Sequence, residues 1–237
     1  GHVALVAPAL LPPSATTTTA AQLAESHALT APVVRVVLRS GTRVLLNEKQ
    51  LLAALRAALP SSVRVDVWRP ERHTFVEQVA VARSTSLLIG VHGAGLTNYM
   101  FMPRGAALLE LYMYHWDRRA YERLSKMMRY NYFKWRNERR DHTRFHESTF
   151  RSFPAVSEAD RKIIMEAEEK PMQLRAPAAL AAEKYWINQD THVDIESFLA
   201  VVNDAMRTGL NAALLGGADR VVVDVDGGVA AAAAITP

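Results

Sequence analysis

The chain has 237 residues, 49% apolar and 22% charged, which suffices for one sizeable core and is too short for two full domains. It contains no cysteine, so disulfides and thiolate-bound zinc are excluded while the redox compartment stays open. The formal charge is only +4, yet residues 117–151 hold eleven Lys and Arg against five Asp and Glu. The basic surface is therefore local, and it suits either an anionic ligand or a solvated helix face.

Residues 1–31 are rich in Ala, Pro and Thr, with a short apolar beginning and no basic residue ahead of it. They fit neither a signal peptide nor a membrane span, and they are expected to be poorly ordered. The ordered pattern begins with a β-branched strand at 33–39. Asn47 is placed to cap an amphipathic helix, "EKQLLAALRAAL", that stops before Pro60. The alternation then repeats: a strand at 63–68, a helix at 74–83, a strand at 86–91, and a short helix at 97–102 stopped by Pro103. A fourth strand at 106–112, a strongly charged helix at 117–129 and a fifth strand at 130–135 follow. Strands alternating with helices predict an α/β fold, a parallel sheet with helices on both faces. After Trp135 the pattern loosens into an excursion or loop. Helix returns at 157–170, and a last helix starts from Asp194 as N-cap, with Ile195, Phe198, Leu199, Val202 and Met206 at helical spacing. The lobe is expected to end near residue 210. The Ala/Gly/Val-rich tail, 211–237, contains Asp224-Val225-Asp226, a match to the Asp-x-Asp signature too short to carry weight in low-complexity sequence.

The chemistry concentrates in "SLLIGVHGAGLTNYMFM", residues 86–102. A buried strand opens through His92-Gly93-Ala94-Gly95 into a helix, a turn in which backbone N–H groups and the positive helix end point the same way. Gly93 and Gly95 would let a phosphate approach the main chain, and the Thr97 hydroxyl and Asn98 amide lie in the first helical turn. Arg39 and Arg43 flank the turn after the first strand, where two guanidiniums could fork onto a diphosphate or simply decorate a surface turn. Glu110, late in the fourth strand, could accept ribose hydroxyls or pair with a buried Arg. His92 could donate to a phosphate, act as a base, or bond within its own loop. His142 and His146 have i, i+4 spacing but lack the Glu of a zinc-protease helix, so no metal site is expected. "HGAG" matches a lipase oxyanion turn, but no Gly-x-Ser-x-Gly follows. The Gly-x-Gly-x-x-Gly of a dinucleotide fold is also missing after the first strand. The basic stretch carries no recognised nucleic-acid motif, and nucleic acid is not an expected partner.

In order and spacing, "VLRSGTRVLLNEKQLLAAL" and "FVEQVAVARSTSLLIGVHGAGLTNYMFMPRGAALLELY" resemble the core of glycosyltransferase family 61. The final helix, "THVDIESFLAVVNDAM", resembles it more loosely. That resemblance implies half of a GT-B fold, the carboxyl-terminal, nucleotide-binding lobe of two Rossmann-like lobes. It further implies inverting transfer of xylose, N-acetylglucosamine or arabinose from a UDP-sugar donor to a protein or glycan hydroxyl, without metal or other cofactor. Residues 92–97 (His92, Gly93, Ala94, Gly95, Leu96, Thr97) match the phosphate loop, with Asn98 beside it. Arg39 and Arg43 match basic positions near the donor diphosphate, and Glu110 and the region of Tyr112 lie where nucleotide ribose and base contacts are expected. A catalytic base is expected from the other lobe, which leaves His92 as the candidate catalytic residue here. Golgi or endoplasmic-reticulum lumen follows from the same resemblance, with any membrane anchor outside this chain. The alternative reading is a non-catalytic module that holds a nucleotide or nucleotide sugar.

Overall fold

The computed structural model describes residues 32–207. The two termini expected to be poorly ordered, with Asp224-Val225-Asp226, lie outside the described residues. Five strands, β1 (Val33–Val37), β2 (Arg64–Trp68), β3 (Leu87–Val91), β4 (Ala107–Tyr112) and β5 (Asn131–Arg136), form one sheet. All neighbours are parallel and the order is β2-β1-β3-β4-β5. The expected Rossmann-like fold is thus present. In this order the chain reverses direction across the sheet between β1 and β3. The crevice beyond their carboxyl ends is where ligands of such sheets bind.

Both faces of the sheet are apolar because alternate residues of the central strands feed two cores. Val34, Val36, Leu87, Ile89, Leu109 and Leu111 face one side. There they meet helices α1 (Glu48–Ala58), α5 (Ala178–Ile187) and α6 (Ile195–Ala205). Val37, Leu88 and Leu108 face the other side, with Trp68, Ala82, Leu96 and Tyr99. That second side is covered by α2 (Phe75–Arg83), the 3-10 helix Ala94–Phe101 and α3 (Ala120–Met128). Gly90 interrupts β3 for a reason legible only here. A Cβ at this position would lie 3.0 Å from both Leu96 Cδ2 and Val37 Cβ, so the missing side chain lets Leu96 settle on the strand. α4 (Glu158–Glu166) completes the helices.

Arg35 is the one charged residue buried on the central strand β1, 7% exposed. Its guanidinium donates to the Val81 and Ser84 carbonyls and the Thr85 hydroxyl at 2.7–3.2 Å, tying the C-terminal end of α2 to the sheet. Asp66 of β2 lies 3.8 Å away. Burial pulls the Arg35 guanidinium below its usual pKa, and Asp66 opposes that shift.

Side-chain caps start three of the helices. Thr74 forms a reciprocal capping box with Glu77, while Ser157 and Asp194 cap α4 and α6. Asn47 does not cap α1. Its amide instead pairs with the backbone of Val193, Nδ2 donating to the carbonyl and Oδ1 accepting the N–H, both at 2.8 Å. The helix predicted at 97–102 is a 3-10 helix that starts earlier, at Ala94. Elements not anticipated include α5, β6 (Thr143–Arg144), β7 (Asp190–Thr191) and the 3-10 helices Pro70–Arg72, Arg140–His142 and Glu147–Ser152. Strands of two residues leave no periodicity to read.

Arg35→Ala removes the donors of three buried or partly buried hydrogen bonds, each bond to a charged group contributing about 1.5–3 kcal/mol when isolated. With partial compensation by water, the variant is expected to lose about 3 kcal/mol in urea unfolding. A loss below about 1 kcal/mol would show that the guanidinium does not tie α2 to the sheet.

Candidate functional site at the switch point

The crevice is built from the ends of β1 and β3. After β1 the chain turns through Gly41 (φ 90°) and Arg43 (φ 60°), with Arg39 Nε donating to the Thr42 carbonyl at 3.2 Å. A left-handed Arg is uncommon and marks a backbone held by its surroundings. Arg43 Nη1 donates to the His92 carbonyl at 3.1 Å, so the turn after β1 is bonded directly to the turn after β3. The two guanidiniums converge on Gly93. A Cβ there would lie 2.8 Å from Arg39 Nη1 and 3.1 Å from Arg43 Nη1. Arg39, Arg43 and Gly93 therefore share one site, well inside the span of a diphosphate.

Neither guanidinium pairs with a carboxylate among the described residues. Burial and then the adjacent Arg39 charge pull Arg43 down to about 10, and its Nε is buried without a partner. Paired cations without counter-charge favour an anion between them. The 3-10 helix begins beside them. Its first backbone N–H groups, at Ala94 and Gly95, have no partner within the helix, and Leu96 N–H is the first to close a turn, onto the Gly93 carbonyl at 2.9 Å. Tyr121 of α3 donates its hydroxyl to that same carbonyl at 2.8 Å and lies 3.0 Å from Thr97 Oγ1. Burial pushes the Tyr121 phenol up despite Arg43 and Arg39 nearby, which keeps it a donor.

Four sequence-predicted residues take other roles. Glu110 is fully buried, its Oε1 2.5 Å from His92 Nδ1 and its Oε2 accepting from the Tyr132 hydroxyl at 2.6 Å. With both oxygens occupied and no exposure, it cannot accept ribose hydroxyls. Nor does it pair with an Arg; its partner is a histidine. Leu96 is fully buried against Gly90 and its N–H is already bonded, so it offers nothing to a ligand. Asn98 turns inward, its amide donating to Gln78 Oε1 and the Gly95 carbonyl at 3.0 and 3.3 Å. Gly95 lacks a side chain for packing: a Cβ would sit 3.2 Å from Val37 Cγ1 and 3.7 Å from Pro70 Cγ. Gly93 is the glycine beneath the guanidiniums.

His92 is 7% exposed. Its ring lies against Tyr112 and Tyr121, with centroids 5.9 and 5.6 Å away. Its Nε2 makes no hydrogen bond among the described residues. The Tyr132 hydroxyl lies 3.3 Å from that of Tyr112, which in turn donates to the Arg118 carbonyl at 2.7 Å. Burial and then the Glu110 carboxylate push the Tyr132 phenol far up. Tyr112, expected near ribose and base contacts, is thus 1% exposed and supports His92 instead, while no local pattern marks Tyr121 and Tyr132 for this role.

A second set of unanticipated residues fixes the Arg43 turn from behind. β6 and β7 pair antiparallel, and β7 also bridges to Leu45, with backbone bonds from Leu46 N–H to the Thr191 carbonyl and from Thr191 N–H to the Val44 carbonyl, both at 2.9 Å. Asp190, fully buried, accepts the Val44 N–H at 2.8 Å through Oδ1. Its Oδ2 accepts from Arg144 at 2.6 and 2.9 Å and lies 2.9 Å from His146 Nε2. His142 instead packs on His192, ring centroids 4.8 Å apart. The two histidines of "HTRFH" thus face different partners. Among the described residues no group of three or more His, Asp or Glu is placed to hold a metal ion.

A parallel sheet with a glycine turn and a carboxylate-free Arg pair at its switch point defines a Rossmann-like α/β protein. The chain is related to glycosyltransferase family 61: the family model described as Glycosyltransferase 61 matches residues 11–109. That span holds Arg39, Arg43 and the whole turn from His92 to Asn98, and it stops one residue short of Glu110. Mouse protein O-linked-mannose beta-1,4-N-acetylglucosaminyltransferase 2 is 31% identical over 186 residues, 73% of this chain and 31% of that relative. The Drosophila melanogaster EGF domain-specific O-linked N-acetylglucosamine transferase is 41% identical over 105 residues, 44% of this chain and 19% of the relative. Its mouse counterpart is 36% identical over 94 residues, 40% of this chain and 18% of the relative. The chain thus spans at most 31% of these relatives' length.

The packing at Gly95 gives a direct test. Gly95→Val crowds Val37 in the core and is expected to cost about 1–3 kcal/mol of stability, the usual range for overpacking. The measurement is the urea midpoint of the variant against the parent; coincident curves would mean that Gly95 is open to a ligand instead.

Proposed function

We propose that this chain is the nucleotide-sugar-binding lobe of an inverting, metal-independent GT-B glycosyltransferase that uses a UDP-sugar and a protein or glycan hydroxyl as acceptor. The observation that carries the reading is the pair of unpaired guanidiniums, Arg39 and Arg43, converging on Gly93 at the switch point. The names of the relatives favour N-acetylglucosamine among the sugars considered, and a Golgi or endoplasmic-reticulum lumen belongs to the same reading.

In this proposal the diphosphate lies over Gly93. Arg39 and Arg43 fork onto its oxygens, and the N–H groups of Ala94 and Gly95 point to it from the start of the 3-10 helix. As an acceptor hydroxyl attacks the sugar C1, the C1–oxygen bond to UDP breaks and negative charge collects on the β-phosphate. Fixed positive groups there stabilise the transition state and take the place of a metal. His92 sits at the edge of this array. Glu110 holds its Nδ1 and leaves Nε2 as the ring atom open to the leaving phosphate. The base that takes that proton is assigned to no described residue.

Arg43→Gln separates this reading from a structural one. The substitution removes a half-buried cation that repels Arg39 and has no carboxylate partner, so the thermal midpoint of the free protein is expected to hold or rise. Affinity for UDP, measured by calorimetry, is expected to fall about 10- to 100-fold, the equivalent of one or two charge-assisted hydrogen bonds. A variant that binds UDP like the parent would overturn the site. For pH the sign is explicit. Arg43 has its folded pKa lowered to about 10 from the usual 12.5, so the free site loses positive charge as pH rises through 10. UDP affinity falls there, while the folding penalty carried by the buried charge is relieved.

A further inference from the structure

Helix α3 carries charge against its own local interest. Arg118 and Arg119 stand at its N-terminal end, where the helix dipole disfavours cations, and Arg119, the N-cap, makes no side-chain capping bond. Arg123, Lys126 and Arg129 continue along the helix and its end, all exposed. The exposed Arg104 joins them at the far end, where its charge acts on the Tyr130 phenol. Of these six, only Lys126 has a carboxylate, Glu122 at 3.3 Å; the five arginines have no ion-pair partner among the described residues. Like charges gathered over roughly 15 Å of helix repel one another. A local rule broken without compensation inside the fold marks a surface shaped by something outside it.

The chemistry of the partner follows from what the face has and lacks. Guanidiniums fork onto carboxylates and phosphates. Binding of single-stranded nucleic acid also uses exposed aromatic rings for stacking, and here Tyr121 and Tyr130 are half-buried, their hydroxyls bonded to the Gly93 and Met102 carbonyls. Insertion into a membrane surface needs an apolar stripe. On α3 that stripe, Tyr121 and Leu124, is packed on the core, leaving Met127, 81% exposed, as the one large apolar side chain of this helix facing outward. We propose that the outer face of α3 binds an acidic polypeptide segment, whose Asp and Glu side chains meet the unpaired arginines along the helix. Tyr121 ties the inner face of the same helix to Gly93 and Thr97, so the bound segment lies beside the switch-point crevice. The inference stands on α3 itself and is independent of the nucleotide reading.

The test titrates a labelled poly-glutamate peptide with the full chain, followed by fluorescence anisotropy over a salt series. A poly-glutamine peptide, a single-stranded oligonucleotide and phosphatidylserine vesicles are run alongside. Poly-glutamate is expected to bind at low salt and weaken as salt rises, and poly-glutamine not to bind. In Arg119→Gln/Arg123→Gln/Arg129→Gln, affinity for poly-glutamate is expected to fall about ten-fold or more, from three exposed pairs acting together, with an unchanged thermal midpoint. If the triple variant melts early, Arg123→Gln alone gives the same reading with a smaller loss. The proposal is overturned if poly-glutamate does not bind, if the variants bind it like the parent, or if the oligonucleotide or vesicles bind more tightly at equal charge.

Discussion

Two guanidiniums held side by side without a counter-charge repel, and most of the architecture around β1 and β3 serves to keep them there. Arg43 is fixed by its bond to the His92 carbonyl and by a left-handed backbone. Arg39 is fixed by its own turn. Gly93 supplies the space between them, since any side chain would collide with both. Behind the turn, the buried Asp190 carboxylate holds Val44 N–H and is itself neutralised by Arg144. This carboxylate sits close enough to hold the backbone and is absent from the ion pairs of Arg39 and Arg43. The arrangement trades stability for an unfilled demand for negative charge, as functional sites commonly do.

The sheet was legible because its signal is redundant. Each central strand is an apolar run bounded by turns, and each crossover repeats the pattern. The turn at His92 was legible because strand, glycines and helix occur in fixed order. The roles within it were less so. Nothing in "HGAGLTN" distinguishes Gly93, which faces the guanidiniums, from Gly95, which packs on Val37, because that difference depends on where β1 and Pro70 lie. Glu110 was misread as ligand-facing for a similar reason. Its carboxylate points along the sheet to His92 and Tyr132, and a residue at the register of Gly90 is still inside the strand, not at its edge. Asp190 was missed altogether, since a two-residue strand far from the motif carries no local pattern.

The same geometry explains why the tyrosines matter. Tyr112, Tyr121 and Tyr132 surround His92 with rings and phenols that burial holds in the neutral form. They satisfy Glu110 and the Gly93 carbonyl without adding charge near the guanidiniums. Replacing these phenols by carboxylates would quench the positive field that the two arginines create, whereas phenols leave it intact.

The contacts that set the Arg43 turn join residues 146 apart in sequence: Val44 to Asp190, and Asn47 to Val193. Such contacts form late, because closing a long loop costs entropy before the contact can repay it. During synthesis the first four strands and the whole glycine turn emerge well before Asp190. A nascent chain therefore carries every recognisable motif of the site while the backbone after Arg43 still lacks its tie to Asp190. Only when the chain has grown past β7 can Asp190 and Val193 brace that turn from behind.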